Sequence, residues 1–109
     1  MAPRLAAGML VSALIRRAEA AGGSGMVLAK GDATAGALLI QLAERGQPGL
    51  LLERRLDSQG VYRWSPTGPE ADADRGDYLA RRRRSDPDLW VIELDVADAM
   101  ALVEEVAGQ

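Results

Sequence analysis

The spacing of apolar and polar residues along the chain predicts a series of alternating helices and strands. Over residues 3–21, apolar side chains such as Val11, Leu14 and Ala18 recur every three or four positions, which is the spacing of one face of an α-helix. Pro3 suits the first turn of that helix, where its missing N–H is not needed. The glycine-rich stretch that follows is typical of a helix end.

Five short apolar segments predict β-strands. The segment 37–43 is apolar at almost every position, which indicates a central strand covered on both faces. The segment 61–65 alternates instead and places Tyr62 and Trp64 on one face. Turn-forming residues separate these segments, so adjacent hairpins are expected. The predicted strands are residues 26–30, 37–43, 50–55, 61–65 and 89–94.

Two further helices complete the pattern. Residues 70–84 are acidic in their first half and basic in their second, which matches the helix dipole. Residues 96–106 carry a narrow apolar stripe, and Asp95 is placed to cap them. The order α-β-β-β-β-α-β-α predicts an α+β fold, a five-stranded antiparallel or mixed sheet with helices packed on it. We expect a single domain, 1–109, with residues 96–109 as a C-terminal helical tail.

The composition removes several classes of chemistry. The chain contains no histidine and no cysteine, so serine–histidine and cysteine–histidine catalysis and structural zinc sites are excluded. Carboxylates, hydroxyls, arginines and the single lysine, Lys30, remain for chemistry. We therefore expect no cofactor and no metal, and the balance favours a protein that is not an enzyme.

The net charge and the composition of the chain indicate which partners and which compartment to expect. The formal net charge is −3, and an acidic chain is a poor default binder of nucleic acid, whose non-specific affinity comes from phosphate neutralisation. Arg16 and Arg17 directly follow the first apolar run, Leu5 to Ile15, where charge is unusual for a signal peptide, and the run is too short to cross a bilayer. The lack of cysteine fits a reducing compartment. We expect a cytoplasmic protein without a membrane partner.

Four consecutive arginines, residues 81–84, form the most conspicuous local feature. Successive helical residues are rotated by about 100°, so four of them spread over about 300° of the helix surface and cannot form one patch. Cations at a helix end are stabilised by the free carbonyl groups there. We therefore expect a helix C-terminus rather than a phosphate site, with at least one arginine turned inward to a carboxylate.

A short acidic segment precedes the last predicted strand. Asp86 and Asp88 are interpreted as turn residues that bind backbone donors, and Trp90 as a buried core residue. Lys30 and Asp32 are interpreted as part of a polar hairpin tip. Tyr62 and Trp64 are expected to pack under a helix, with stacking on a base or peptide as the alternative. The candidate interaction patch comprises Arg16, Arg17, Lys30, Asp32, Arg81, Arg84, Asp86, Asp88 and Trp90.

Several segments resemble one bacterial family. Residues 77–93 contain Asp-Pro-Asp-Leu-Trp at 86–90, and this part is similar to the C-terminal signature of the alphaproteobacterial domain of unknown function 1491. The helix around Val11 to Arg17, together with Lys30-Gly31-Asp32 and Ala35-Gly36, resembles the start of the same family. The resemblance extends to about Asp95. It implies a cytoplasmic bacterial protein and brings no catalytic residues.

Three functional hypotheses follow from the sequence. The leading one is a small non-enzymatic module that binds a protein partner, with a homo-oligomer such as a two-fold dimer as one form of it. The second is a hydrolase or phosphate-handling enzyme in which Asp32, Asp86, Asp88 or Glu93 converges with arginine. The third is RNA or DNA binding through a face that gathers Arg16, Arg17 and the arginines at 54–55 and 81–84.

Overall fold

A computed structural model of the protein describes residues 5–108. Within them the chain forms three α-helices, a single 3-10 turn at Asp72–Asp74 and one five-stranded sheet. The predicted α+β class is confirmed. In chain order the elements are α1 (Ala7–Ala20), β1 (Ser24–Ala29), β2 (Leu38–Glu44), β3 (Gln47–Leu56), β4 (Tyr62–Pro66), α2 (Arg75–Ser85), β5 (Trp90–Asp95) and α3 (Ala99–Ala107).

The sheet is mixed, in the order β1-β5-β2-β3-β4. Strand β5 lies between β1 and β2, antiparallel to β1 and parallel to β2, with Ile40 opposite Ile92. The predicted hairpin between the first two strands is therefore wrong. Residues 30–37 instead cross over the start of β5, which is inserted between β1 and β2. Trp90, Ile92 and Leu94 are buried on one face of β5, and Val91 is buried on the other.

Helices cover both faces of the sheet. Alternate residues of β2 point in opposite directions, so Leu38 and Ile40 face α1 and α3, whereas Leu39 faces α2. The core on the α1 and α3 side is the larger, and it contains both tryptophans, Trp64 and Trp90. On the other side, Tyr78 and Leu79 of α2 pack on Leu39, Leu51, Leu89 and Val91.

Helix α1 begins later than predicted, at Ala7, and Pro3 lies outside the described residues. Its first N–H groups donate to the chain between β1 and β2: Gly8 to the carbonyl of Ala33 at 2.8 Å, and Ala7 to that of Thr34 at 3.3 Å. Because these donors have backbone partners, no side-chain cap is needed.

The predicted role of Asp95 is wrong. Its carboxylate accepts hydrogen bonds from the N–H groups of Arg45 and Gly46, both at 2.8 Å, and not from a helix start. Arg45 and Gly46 form the tight turn between β2 and β3 with positive φ angles of 52° and 79°. Helix α3 starts three residues later than expected, at Ala99, after Asp98 in the left-handed region without a side-chain cap.

Helix α2 also begins later than predicted. The acidic residues 70–74 form an extended segment and the 3-10 turn, and the α-helix starts at Arg75. The side chain of Arg75 is 7% exposed and donates to the carbonyls of Pro69 and Glu70, which draws this segment onto the sheet. Because Arg75 binds the carbonyls of Pro69 and Glu70, the residues predicted as the first turn of the helix are not helical.

Helix α3 contributes to the larger core. Its buried residues Ala99, Leu102 and Val103 belong to the same cluster as the central strands, and the indole N–H of Trp64 donates to the carbonyl of Ala107 at 2.8 Å. The segment described from the sequence as a tail is thus packed into the layer beside α1. None of the helices in residues 5–108 has both the length and the apolar character needed to cross a membrane.

Candidate functional site

The segment between β1 and β2 and the segment before β5 form one tightly packed junction. Asp32 donates its N–H to the carbonyl of Asp88 at 3.0 Å, and its own carbonyl accepts from the indole of Trp90 at 2.7 Å. A Cβ atom added at Gly31 or Gly36 would lie 2.1 or 2.2 Å from the Asp88 carbonyl oxygen. The two glycines therefore allow this backbone approach.

Two acidic side chains of the junction, Asp32 and Asp86, accept hydrogen bonds from backbone N–H groups. The Asp32 carboxylate accepts from the N–H groups of Ala35 at 2.8 Å and Thr34 at 3.0 Å, and these bonds lower the pKa of its carboxyl. The Asp86 carboxylate accepts from the N–H of Asp88 at 3.1 Å. The expectation that Asp86 serves as a turn residue is confirmed, and so is the burial of Trp90, which is 6% exposed.

The four arginines of α2 go to different places. Arg82 turns inward and pairs with Glu53 at 2.6 Å, as expected for one of the run, and it also donates to the Tyr78 hydroxyl at 2.8 Å. The hydrogen bonds from Arg82 are the main cause of the lowered pKa of the Glu53 carboxyl. The same bonds to Glu53 raise the pKa of the Arg82 guanidinium. Arg81 and Arg84 are exposed.

The side chain of Arg83 binds backbone carbonyl groups of the junction. Its guanidinium donates to the carbonyls of Leu89 at 2.7 Å, Lys30 at 2.9 Å and Pro87 at 3.2 Å. Arg83 therefore links the end of α2 to the residue that follows β1 and to the residues that precede β5. Lys30 and Asp88 of the predicted patch are exposed beside it.

The remaining arginines of the predicted patch lie elsewhere. Arg16 and Arg17 are in the second half of α1, whereas the first turn of α1 touches the junction. Arg16 is nine residues from Ala7, which corresponds to about 13 Å along the helix. Arg17 pairs with Glu105 of α3 at 3.2 Å. The structure thus brings Lys30, Asp32, Asp86, Asp88 and Trp90 together and leaves Arg16 and Arg17 apart.

A concave surface that sequence reasoning did not single out lies beside the first turn of α1. This surface, the Arg54 groove, has a volume of about 420 Å³ and is lined by Leu5, Leu10, Leu38, Arg54, Tyr62, Trp64 and residues 34–37. The Arg54 guanidinium lies over the rings of Tyr62 and Trp64, 5.5 and 6.0 Å from their centroids. The expectation that both aromatics pack under a helix holds for Trp64 only, because Tyr62 is 40% exposed.

The buried Arg75 was also missed. Its guanidinium donates to the Gln41 side-chain oxygen at 3.0 Å and to the Gly49 carbonyl at 2.6 Å, in addition to the carbonyls of Pro69 and Glu70. All of these acceptors are neutral. The sequence offers little signal for this site, since residues 70–74 and Arg75 have the pattern of an ordinary charged helix start.

The outer strand β1 is the third surface of note. Met26, Val27 and Leu28 are 57%, 42% and 48% exposed, and no described residue pairs with the outer side of the strand. Beside it, the flank of α1 carries Met9, which is 62% exposed, along a shallow groove of about 710 Å³. Ile15 of that flank lies against Gly25 of β1, so helix and strand form one surface.

Acidic side chains do not gather into a metal centre. Among residues 5–108, no group of three or more acidic side chains lies close enough together to hold a metal ion. Two partly buried carboxylates are bound by arginines: Glu53 by Arg82 at 2.6 Å and Asp57 by Arg63 at 2.7 Å.

Comparison with known proteins finds similar chains over nearly the whole length. A family model described as "Protein of unknown function (DUF1491)" matches residues 5–104. The crystal structure of a DUF1491 family protein from Caulobacter crescentus is 35% identical, covers 91% of this chain and 94% of that one, and has a TM-score of 0.77. The solution structure of a protein from A. tumefaciens is 33% identical, covers 92% of each chain and has a TM-score of 0.74. No curated protein sequence matches the chain.

Proposed function

The chain belongs to the DUF1491 family, and we propose that it is a non-enzymatic protein-interaction module of the bacterial cytoplasm whose partner is a second copy of itself. The observation that carries this proposal is the open edge of β1. An outer strand with unpaired backbone groups and exposed apolar side chains is a template for pairing with another strand. The cytoplasmic assignment is supported by the absence of cysteine.

The two outer strands of the sheet differ in how they are protected. Strand β4 is five residues long, carries Arg63 in an ion pair with Asp57, and ends at Pro66, which cannot donate to a ladder. Strand β1 is six residues long and contains neither a charged residue nor a proline. Charges and prolines on edge strands oppose pairing with other chains, so β1 is the edge that favours it.

A second copy is the occupant that fits this edge. In an antiparallel pair of identical strands about a two-fold axis, residue i of one copy faces residue j of the other and j faces i, and β1 offers no charge that would repel its copy. A six-residue strand alone is small against the roughly 1,200–2,000 Å² that a stable interface buries. Further apolar area comes from Met9 on the adjoining flank of α1 and from Leu5 just before that helix, which are 62% and 50% exposed.

The distribution of the other charges supports this choice over the alternatives. An enzyme that works with carboxylates and arginine needs them free in one cleft, whereas Glu53, Asp57 and Asp95 are each bound by protein donors. A nucleic-acid surface needs arginines on one face. Here Arg17 pairs with Glu105 of α3 on one side of the sheet, whereas Arg82 of α2 pairs with Glu53 on the other side.

The test is the oligomeric state of matched charge variants by light scattering over a range of micromolar concentrations. We expect the wild type to be a dimer and Met26→Lys to be a monomer, because a charge then lies at the two-fold contact. The new lysine faces Glu93 of β5 in the register, so the protomer should keep its fold. The matched control is Leu56→Lys on β3, where the leucine is 58% exposed.

The control separates an interface from general loss of apolar surface. Leu56→Lys should remain a dimer, and circular dichroism should show the same fold for all three proteins. A wild type that is monomeric at every concentration, or a Met26→Lys protein that is still dimeric, would show that β1 is not the contact.

A further inference from the structure

We propose that α2 is a cover that opens as a unit while α1, α3 and the sheet stay folded, and that opening exposes a second apolar face of the sheet. This face consists of Leu39, Leu51, Leu89 and Val91, which are at most 2% exposed when α2 is in place. None of the four belongs to β1, so the opening of α2 is a property separate from self-association through the β1 edge.

The three helices differ in what they bury. Helices α1 and α3 each bury four apolar side chains in the larger core. In α2 the one buried residue is Arg75, and Tyr78 and Leu79 pack on the apolar face while only half-buried. Most of the stability of a helix in a protein comes from an apolar face packed on the core, so α2 is the most weakly held of the three.

Three arginines attach α2 to the sheet and to the junction. Arg75 donates to the side chain of Gln41 in β2 and to a carbonyl of β3, and Arg82 binds Glu53 of β3. Arg83 binds three backbone carbonyls of the junction. Water can replace these hydrogen bonds when the helix lifts away, which makes their net contribution to stability small. Opening of α2 therefore costs less than the separation of an apolar helix of the same length.

The segment that opens does not favour a helix by itself. Helix α2 has 11 residues, and isolated helices shorter than about 12–15 residues are marginal in water. Gly76 lowers the helix propensity further, and the like charges at 81–84 repel one another once Arg82 has left Glu53. We therefore expect the opened segment to lose its helical hydrogen bonds, so that amide hydrogen exchange detects the opening.

The rest of the protein keeps its main core when α2 opens. The larger core lies on the opposite face of the sheet and contains both tryptophans. Strand β5 stays paired with β1 on one side and β2 on the other, and α2 takes no part in this pairing. The open state is therefore a folded protein with one uncovered face, in the manner of the local cooperative units seen in other proteins.

Native-state hydrogen exchange of the wild type in low concentrations of urea is the first test. After correction for intrinsic rates, we expect the amides of residues 79–83 to exchange at least about 100-fold faster than that of Ile92 in β5. They should share one opening constant and one dependence on urea, which distinguishes opening of the whole helix from fraying at its ends. Equal protection of α2 and Ile92, or exchange in α2 without dependence on urea, would overturn the proposal.

A matched pair of cysteine variants tests exposure of the apolar face directly. Leu51 and Leu52 are consecutive residues of β3, 1% and 0% exposed, and they face α2 and the larger core respectively. Because the chain has no cysteine of its own, Leu51→Cys and Leu52→Cys each carry a single thiol. The probe is the disulfide reagent DTNB, and each labelling rate is divided by the unfolding constant of that variant from urea denaturation.

We expect the Leu51→Cys thiol to be labelled at least about tenfold faster than the Leu52→Cys thiol on this normalised scale, because opening of α2 uncovers only the first. Equal normalised rates would show that the two faces become accessible together, and would refute the proposal.

Two further variants separate opening of α2 from global unfolding. Val103→Ala weakens the larger core, which stays intact in the open state, so it should speed exchange at Ile92 by about tenfold or more and leave exchange in α2 unchanged. Arg82→Gln removes a contact that both processes break, so it should speed exchange about equally in α2 and at Ile92. If Val103→Ala sped exchange in α2 as much as at Ile92, α2 would open only with the whole protein and the proposal would be wrong.

Discussion

The indole N–H of Trp90 donates a 2.7 Å hydrogen bond to the backbone carbonyl of Asp32, across 58 positions of sequence. The bond ties the crossover between β1 and β2 to the first residue of β5, which separates those two strands in the sheet. Trp90 is 6% exposed, and its ring packs in the larger core. Trp90 therefore stabilises both the packing and the path of the chain.

Removal of the Trp90 side chain should destabilise the fold strongly. Trp90→Ala is expected to lower the free energy of unfolding by about 3–5 kcal/mol, the usual range for loss of a large buried aromatic. Trp90→Phe keeps most of the ring volume but leaves the Asp32 carbonyl without its donor, and should cost about 1–3 kcal/mol. Urea unfolding followed by circular dichroism measures both. Wild-type stability of Trp90→Ala with loss of self-association would instead make Trp90 an interface residue.

Glycine is required at the junction for steric reasons, and its substitution should be costly there. A Cβ at Gly31 or Gly36 would come within 2.2 Å of the Asp88 carbonyl oxygen, so the backbone would have to move. Gly31→Ala and Gly36→Ala should each cost more than about 1 kcal/mol, since strain and a weakened backbone hydrogen bond add. Thermal unfolding of the two variants is the measurement.

A third glycine provides the control for this prediction. Gly76 lies in α2 with no atom within 4 Å of an added Cβ. Gly76→Ala should therefore stabilise the protein by up to about 1 kcal/mol, because alanine is the better helix former. If Gly31→Ala and Gly76→Ala shifted the melting temperature in the same direction, the steric role of the junction glycines would be refuted.

The pair of Glu53 and Arg82 should make stability fall at acid pH. The hydrogen bonds from Arg82, followed by those from Arg55, hold the pKa of the Glu53 carboxyl below its ordinary value of 4.5. Since the folded pKa is the lower one, the ionised group contributes stability above pH 4.5, and this contribution is lost as the pH falls through the folded pKa.

The variant Glu53→Gln isolates this contribution. At neutral pH it should cost about 2 kcal/mol, because Arg82 is then left without its carboxylate. Its urea midpoint should depend less on pH than that of the wild type between about pH 5 and pH 3. Asp32 and Asp57, whose pKa values are also lowered, remain in both proteins, so the difference between the two pH profiles reports Glu53. Identical slopes would contradict the assignment.

Arg75 should resist replacement even by lysine. Its guanidinium serves acceptors on Gln41, Gly49, Pro69 and Glu70 at once, and a single ammonium group cannot reach all of them. Arg75→Lys should therefore lower the free energy of unfolding by about 2–4 kcal/mol. Arg81→Lys, at an exposed position of the same helix, should change it by less than about 0.5 kcal/mol. Chemical denaturation of both variants checks the contrast.

Most of the elements follow from the sequence because they depend on neighbours along the chain. The spacing of Val11, Leu14 and Ala18 determines which face of α1 is buried, and alternation determines that Trp90 and Ile92 share a face. The spread of consecutive arginines around a helix requires that they point different ways, and Arg82 does turn inward to a carboxylate. The turn before β5 is also local, because the carboxylate of Asp86 accepts from the N–H of Asp88, only two residues away.

The strand order and both candidate surfaces were decided by tertiary structure. The same local pattern of β1 and β2 is compatible with a hairpin or with a crossover, and only the insertion of β5 between the two strands leaves β1 at the edge. Asp95 has the local signature of a helix cap, yet the parallel pairing of β5 with β2 brings it to the Arg45–Gly46 turn. Arg54 meets its groove only when α1 and β4 are packed on the sheet. These outcomes depend on contacts between segments far apart in sequence, about which local periodicity contains no information.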